Sequence, residues 1–218
     1  MKLIEIKNQL GNAYERLLEI DELRPSQEKA INAGLFENNN LLICTPTASG
    51  KTLVAEFAFI DAILNKGKKA IYIVPLKALA TEKHKQFSER YKGLFKCALS
   101  IGDLDSDNGY LAAYDLIICT SEKLDSLIRH HTPWLNQVGC VVVDEIHLLN
   151  DHGRGPTLEI LITLLRDFLK VQLIGLSATI GNAKQLAEWL NAKLVVDNWR
   201  PVELKQGIFF EGKINFKK

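Results

Sequence analysis

Short apolar runs alternate with helical patterns along most of the chain. Apolar residues spaced three and four apart predict helices at 52–66, 76–91, 122–130, 157–169 and 183–190. The apolar runs that predict buried strands are 41–44, 69–75, 96–101, 115–120, 139–145, 171–178 and 193–197. Strands that alternate with helices indicate βαβ units, so we expect an α/β fold with a mainly parallel central sheet and helices on both faces.

Two further helices are predicted before the first strand. Residues 8–20 carry apolar side chains at helical spacing and predict an amphipathic helix that packs on the flank of the domain. A second helix is predicted to begin with Ser26 as its cap and to stop in the asparagine cluster at 38–40. Gln27 lies in its first turn, where its amide could pair with the N6 and N7 edge of adenine. An ordinary surface glutamine is the alternative.

The stretch 41–53, LLICTPTASGKTL, predicts a phosphate-binding loop. An apolar strand ends in small residues, and Lys51 and Thr52 then open a helix, whose free N–H groups and dipole favour phosphate. Lys51 would reach the β and γ phosphates, and the Thr52 hydroxyl would bind Mg²⁺. Thr45 replaces the first glycine of GxxxxGK[ST], which leaves ordinary loop chemistry as an alternative. The candidate nucleotide-binding residues are Gln27, Thr45, Pro46, Thr47, Ala48, Ser49, Gly50, Lys51 and Thr52.

Two adjacent carboxylates follow the buried run VVV at 141–143. Burying two carboxylates is costly unless a cation lies beside them. Next to a phosphate-binding loop, Asp144 suits an Mg²⁺ ligand, and Glu145 suits a residue that orients or deprotonates the water attacking the γ phosphate. The alternative is a solvated turn or helix start. Lys51, Asp144 and Glu145 are therefore the candidate catalytic residues.

Polar residues follow other predicted strands, and the carboxyl ends of parallel strands lie along one edge of a sheet. At three of these ends, backbone N–H groups, hydroxyls and one lysine could follow a phosphate chain of a nucleic acid. The stretch 102–110 is the longest loop and is a candidate mobile insert. A solvated charged face is the alternative. The candidate nucleic-acid-binding residues are Pro75, Lys77, Gly102, Thr120 and Ser121.

Three residues near the carboxylates could couple the nucleotide site to a neighbouring surface. His147 has no second His or Cys at ligand spacing, which favours a hydrogen-bonding role over metal binding. Ser177 and Thr179 are small hydroxylated residues at a strand end and suit a relay of hydrogen bonds. An ordinary strand-to-helix turn is the alternative.

Composition narrows the class of protein. With 218 residues, 47% of them hydrophobic, the chain can bury a full core and is most simply one large domain. A net charge of +1 gives no general attraction to polyanions. No apolar run reaches the length of a membrane span, and the charged start argues against a signal peptide, so we expect a cytoplasmic protein without a membrane partner. The four cysteines form no CxxC pair, which favours buried free thiols.

The motifs LRPSQ, TPTASGKT, PLKALATEKHKQF, TSEKLDSL, VVVDEIHLLND and LSATIGNAKQLAEWL together resemble superfamily 2 helicases of the Ski2-like group, with most similarity to the archaeal Ski2-type DNA helicases. The resemblance spans about 20–205. It implies the first RecA-like domain, here 1–200 with 1–25 as a flanking segment, of a motor that uses ATP and Mg²⁺ to move 3′-to-5′ on single-stranded or forked DNA, in replication-fork repair. It also implies that Gln27 reads adenine and that Ser177 and Thr179 couple hydrolysis to movement.

The same resemblance predicts that a second RecA-like domain accompanies the first one. Residues 201–218 would be a linker or first strand leading to a second RecA-like domain, which normally supplies an arginine finger, so we expect this half alone to bind nucleotide without unwinding. An RNA helicase of the same group is one alternative, because the motor motifs do not distinguish the 2′-OH clearly. A P-loop kinase or a nucleotide-gated binding module is an alternative from a different class.

Overall fold

The computed structural model describes residues 1–102, 109–202, 205, 207–210 and 212–216. Its centre is a seven-stranded sheet in which every strand pairs in parallel with its neighbours. The strands, in the order β3-β4-β2-β5-β6-β1-β7, are confirmed close to their predicted positions. Their bounds are β1 Leu41–Cys44, β2 Lys69–Val74, β3 Cys97–Ser100, β4 Leu116–Thr120, β5 Val138–Val143, β6 Gln172–Ser177 and β7 Lys193–Val196.

Helices cover both faces of the sheet. Their bounds are α1 Lys7–Leu10, α2 Pro25–Asn32, α3 Lys51–Ile60, α4 Lys77–Arg90, α5 Ser121–Arg129, α6 Gly155–Leu164 and α7 Ala183–Trp189. Two of them continue as π-helical turns, α3 through Asp61–Asn65 and α6 through Leu165–Leu169. The predicted α/β architecture, mainly parallel with helices on both faces, is therefore confirmed.

Alternate residues of each strand belong to different halves of the core, because successive side chains of a strand point to opposite faces. Tyr72 and Val142 lie in the half packed by the N-terminal segment and α2 to α4. Ile73 and Val143 lie in the half packed by α5 to α7. Strands buried on both faces need continuous apolar runs, which is why the pattern identified them.

The prediction of one helix over 8–20 is wrong. The structure has a 3-10 turn at Leu3–Ile6, the short α1 and a second 3-10 stretch at Gly11–Leu17. Gly11 has φ of 52°, a left-handed conformation that interrupts a right-handed helix. The buried side chains still follow helical spacing, and they are Leu3, Ile6, Leu10, Ala13 and Leu17.

The predicted cap of α2 is also wrong. Arg24 is the N-cap, and Pro25 is the first helical residue, where its fixed φ suits the helix and its missing N–H costs nothing. Gln27 takes the capping role, since its Oε1 accepts a hydrogen bond from the Arg24 backbone N–H at 2.8 Å. Ser26 is buried instead.

The remaining segments lie outside the main sheet. Two antiparallel strands, β8 Gly207–Phe210 and β9 Lys213–Phe216, form a hairpin in the range predicted to be a linker or first strand. The predicted mobile insert at 102–110 falls mostly outside the described residues, which resume at Gly109. Within the described ranges, no helix combines the length and the apolar character needed to cross a bilayer.

Candidate nucleotide and magnesium site

Strand order determines which loops meet at the carboxyl edge of the sheet. β6 lies between β1 and β5, so the loop after β1 and the carboxylates after β5 are separated by two strand spacings, roughly 10 Å. The chain leaving β1 continues to hydrogen-bond with β6, because the Thr45 N–H donates to the Ser177 carbonyl at 3.3 Å. The motifs at the ends of these three strands therefore form one continuous edge.

Thr45 explains how the phosphate-binding loop closes without its usual first glycine. The Thr45 side chain is fully buried, and its Oγ1 lies 2.6 Å from Ser49 Oγ across the loop. Lys51 folds back so that its Nζ donates to the Thr45 carbonyl oxygen at 3.0 Å. Thr47 and Ala48 are exposed between these contacts. Thr45 thus holds both ends of the loop rather than disrupting it.

Position 50 requires a glycine for two reasons, its backbone conformation and the lack of room for a side chain. Its φ is 91°, and a Cβ built there would lie 2.5 Å from Gln27 Nε2. Gln27 is 3% exposed, and its Nε2 donates to the Gly50 carbonyl at 3.1 Å. The glutamine predicted to read adenine therefore lies against the phosphate-binding loop, with both ends of its amide hydrogen-bonded to backbone groups.

An open cleft of about 410 Å³ lies beside this loop. Acidic residues of the segment before α2 form one wall, and Arg90 from the end of α4 forms part of another. Arg90 is held by the buried Glu56 at 3.0 Å and by Glu19 at 3.1 Å. The cleft has room for a base and sugar next to the phosphate-binding loop. Its lining includes Glu19, Ile20, Asp21, Glu22, Arg24, Gln27, Gly50 and Thr52.

The charge of Lys51 is balanced by the two carboxylates. Burial lowers the pKa of Lys51, while the negative charges of Glu145 and Asp144 act in the opposite direction. The two carboxylates therefore lie near enough to Lys51 to favour its charged form. This is the arrangement expected where a lysine and a metal ion share the charge of a phosphate chain.

Oxygen donors suited to Mg²⁺ meet around the hydroxyl of Tyr72. Tyr72 Oη donates to Asp144 Oδ2 at 2.8 Å, and the Thr52 side chain lies near enough to oppose the rise that burial causes in the pKa of Tyr72. Lys83 from α4 donates to Thr52 Oγ1 at 3.3 Å, which places a cation beside these oxygens. A hydroxyl and a carboxylate are ligands that Mg²⁺ takes alongside phosphates and waters, so the residues present fit the metal.

Glu145 has a strained backbone, with φ of 52°. Its N–H donates to Asp144 Oδ1 at 3.0 Å, and its carboxylate lies 3.3 Å from His147 Nδ1, without the angle of a hydrogen bond. Arg154 lines a small cavity with both carboxylates, Pro75 and Ser121. The carboxylates therefore face two basic residues besides Lys51.

The three predicted coupling residues lie in different environments. His147 lines a cleft with the 180–182 loop after β6, so it bridges the carboxylate motif and the SATIGN motif. Ser177 is fully buried at the end of β6, and its hydroxyl has no hydrogen-bond partner among the described residues. Thr179 is exposed. His147 and the 180–182 loop therefore line one cleft. The Ser177 side chain is buried and the Thr179 side chain is exposed, so these two hydroxyls lie in different environments.

The predicted nucleic-acid-binding residues also divide into exposed and buried ones. Lys77 and Gly102 are exposed at the carboxyl edge, and Pro75 is half-buried. Thr120 and Ser121 are only 6% and 5% exposed, because they end β4 and begin α5. The two hydroxylated side chains are therefore almost inaccessible at the edge, unlike Lys77 and Gly102.

A family model described as DEAD/DEAH box helicase matches residues 24–186 of the chain. The chain belongs to the DEAD/DEAH box helicase family. The range contains the phosphate-binding loop, both carboxylates and the coupling residues. The predicted membership in a helicase family is thereby confirmed.

Individual relatives support the same assignment. The chain is 56% identical over 223 residues to the ATP-dependent DNA helicase Hel308 of Methanocaldococcus jannaschii, covering 99% of this chain and 18% of the relative. It is 51% identical over 193 residues to Hel308 of Pyrococcus horikoshii, covering 88% of this chain and 27% of the relative. The predicted resemblance to archaeal Ski2-like helicases is confirmed, and the chain spans about a fifth to a quarter of these relatives.

A solved structure shares the fold. The crystal structure of the DUF1998 helicase MrfA bound to DNA superposes with a TM-score of 0.74 and 27% sequence identity, covering 87% of this chain and 29% of that one. This similarity confirms the predicted RecA-like character of the α/β domain.

Sequence reasoning missed four residues of the site. Tyr72 lies inside an apolar strand, where a tyrosine resembles any other core residue. Arg24, Lys83 and Arg154 reach the site from segments whose charges resemble a solvated surface. Arg24 belongs to the LRPSQ motif, and Arg154 precedes Gly155, where a Cβ would lie 2.2 Å from the Leu149 carbonyl oxygen.

Proposed function

We propose that this chain is the ATP-binding half of an ATP-dependent DNA helicase motor. The observation that carries the proposal is the meeting of a loop lysine, a helix-start hydroxyl and a strand-end carboxylate, in Lys51, Thr52 and Asp144, at one edge of a parallel sheet. The helix N-terminus and Lys51 bind phosphate, and Thr52 and Asp144 hold Mg²⁺. When bound, the metal supplies positive charge to the phosphate oxygens.

The roles of the remaining site residues follow from their positions. Glu145 orients and deprotonates the attacking water, because it lies beside Asp144 and its backbone is held in a left-handed conformation. Gln27 and the cleft beside Gly50 take the adenine. His147 and the 177–179 loop transmit the state of the nucleotide to the DNA-binding edge, which includes Lys77 and Gly102.

The substrate in this proposal is single-stranded or forked DNA, moved 3′-to-5′ in replication-fork repair. The resemblance to Hel308, which is named as a DNA helicase in the relatives, supports DNA over RNA. Hydrolysis requires a second RecA-like domain, because the arginine finger that such a domain supplies contributes on the order of 10³ to 10⁵ in rate. We therefore expect the 218 residues alone to hydrolyse ATP slowly and to unwind no duplex.

Titration of a fluorescent ADP in the presence of Mg²⁺ tests the nucleotide site. Lys51→Ala is expected to weaken binding by about 1.5 to 3 kcal/mol, since a charge-assisted hydrogen bond to phosphate is lost. Lys68→Ala, an exposed lysine before β2, is the matched control and should bind as the wild type does. Equal affinity in the Lys51 variant would contradict the assignment.

Adding matched DNA and RNA single strands to a preparation that hydrolyses ATP tests the motor assignment. Stimulation by DNA in preference to RNA is expected. Stimulation by RNA alone would favour an RNA helicase, and indifference to both would favour a nucleotide-gated module.

A further inference from the structure

Tyr72 occupies a position that joins the metal site to the core. It lies in the middle of β2 and is fully buried. Register pairs it with Val142 of β5, so Tyr72 shares a sheet face with Val142 and with the residue two positions later, Asp144. That face is covered by α3, which begins with Lys51 and Thr52. The register therefore brings the Tyr72 hydroxyl to the strand-end carboxylate of Asp144, on the sheet face that α3 covers.

The contacts of this hydroxyl are specific. Tyr72 Oη donates to Asp144 Oδ2 at 2.8 Å, and the other carboxylate oxygen, Oδ1, accepts the Glu145 N–H at 3.0 Å. The Thr52 side chain lies near the same hydroxyl, where it opposes the rise in the pKa of Tyr72. The Asp144 carboxylate is thus held at both oxygens, which restricts rotation about its terminal bond.

The ring has little freedom to move. It packs edge-on against Phe87 of α4, with centroids 5.4 Å apart and an interplanar angle of 62°. Phe87 in turn packs edge-on against Phe59 of α3 at 5.1 Å. A hydroxyl carried on a ring fixed in this way can orient its partners, because its own position is set by packing.

We propose that Tyr72 is a positioning residue for Mg²⁺, which orients the Asp144 carboxylate toward the metal. The inference rests on the proposed function. Tyr72 itself does not touch the metal or the phosphates. Outer partners of this kind typically change metal affinity 10- to 100-fold when they are lost, since the ligands then sample orientations that do not bind.

Tyr72→Phe tests this inference by removing one oxygen atom and leaving the packing volume in place. The measurement is the Mg²⁺ concentration at half-maximal enhancement of fluorescent ADP binding, with the affinity for ADP in EDTA measured separately. We expect the Mg²⁺ requirement to rise about 10- to 100-fold, while the affinity in EDTA stays within about twofold of wild type.

Tyr91→Phe is the matched control. Tyr91 is also fully buried, and its hydroxyl also donates to a buried carboxylate, that of Glu56 rather than that of Asp144. Its Mg²⁺ requirement should equal that of wild type, although both variants lose a buried hydrogen bond. Thermal unfolding of both variants shows whether each remains folded at the assay temperature.

The outcomes separate this inference from the proposed function. If the wild type does not bind ADP, or binds it equally with and without Mg²⁺, the proposed function is wrong. If the wild type shows a Mg²⁺ requirement and Tyr72→Phe shows the same one, the positioning role is wrong and the proposed function stands. If Tyr72→Phe loses binding equally in Mg²⁺ and in EDTA, the hydroxyl supports only the fold, which also overturns the inference. Should Tyr72→Phe not fold, Phe87→Leu, which loosens the ring without removing the hydroxyl, must raise the Mg²⁺ requirement for the inference to hold.

Discussion

The guanidinium of Arg24 lies over the ring of Trp199, with Cζ 5.1 Å from the ring centroid, while its NH1 donates to the Ala48 carbonyl at 2.6 Å. One side chain therefore contacts both the phosphate-binding loop and the segment that leaves β7. The same segment is held by Asp197, which accepts hydrogen bonds from Lys29 at 2.7 Å and from the Trp199 N–H at 2.6 Å. A change in the conformation of the phosphate-binding loop can therefore reach the segment after β7 through Arg24.

Arg24→Ala is expected to weaken ADP binding about threefold to tenfold and to shift the emission of Trp199 to longer wavelength. The loop loses a hydrogen bond from a charged donor, and the ring loses a cation–π contact of about 0.5 to 1 kcal/mol and becomes more hydrated. Fluorescence titration measures both effects. Trp199→Phe in each background identifies the contribution of this tryptophan.

Arg16→Ala is the matched control for this prediction. Arg16 also donates to a main-chain carbonyl, that of Lys92, at 3.0 Å, but it lies away from the loop. An Arg24 variant that behaves like the Arg16 variant would show that the contact between Arg24 and Ala48 does not shape the nucleotide site.

As the pH is raised, nucleotide affinity is expected to fall at a lower pH than it would if Lys51 had the pKa of an ordinary lysine. Burial lowers the pKa of Lys51, and Glu145, Asp144 and the Cys44 thiol face it and oppose that shift. A lysine is charged below its pKa, so the ammonium loses its proton as pH rises through a value below the usual 10.4 or so. ADP affinity measured at increasing alkaline pH checks this. Lys51→Arg stays charged across the range and should give a flat profile, even if its affinity is lower.

Glu145→Gln is expected to keep nucleotide binding and to reduce hydrolysis on the order of 10² to 10⁴-fold, the usual contribution of a general base. The amide has a similar shape but cannot accept a proton. The test compares ADP affinity with ATP turnover in a preparation that hydrolyses ATP. Glu159→Gln, an exposed change on α6, should alter neither quantity. Parallel loss of binding and turnover would indicate a structural role for Glu145.

Single-stranded DNA is expected to bind weakly and with a shallow salt dependence. Lys77 is the one lysine among the predicted nucleic-acid contacts, and each neutralised phosphate contributes about −0.7 to the slope of log affinity against log salt. Anisotropy of a labelled strand should therefore give a slope of about −0.7 to −1.4, for one or two neutralised phosphates, reduced by about 0.7 in Lys77→Ala. Lys85→Ala, an exposed change further along α4, should leave the slope unchanged. Undetectable binding of the wild type at low salt would remove this edge from the path of the DNA.

The sequence by itself determined the strands and most of the helices, and it marked the loop after β1 as a candidate phosphate-binding loop. Strands covered on both faces must be apolar throughout, so they stand out as continuous runs. A loop that binds phosphate needs small residues and a lysine at fixed spacing, so TPTASGKT was recognisable even with Thr45 in place of glycine. These features depend on neighbouring residues in the chain, and local patterns record them.

Only the tertiary structure decided the features that depend on strand order and register. The break at Gly11 is a separate case, since it depends on a local backbone conformation that apolar spacing does not report. Tyr72 is 72 residues from Asp144 in sequence, and the two meet because β2 pairs with β5 in a register that places them on one face. Arg24 and Trp199 meet because β7 ends beside α2. A side chain that acts through such distant partners carries no local pattern of its own, since the pairing of strands creates its environment.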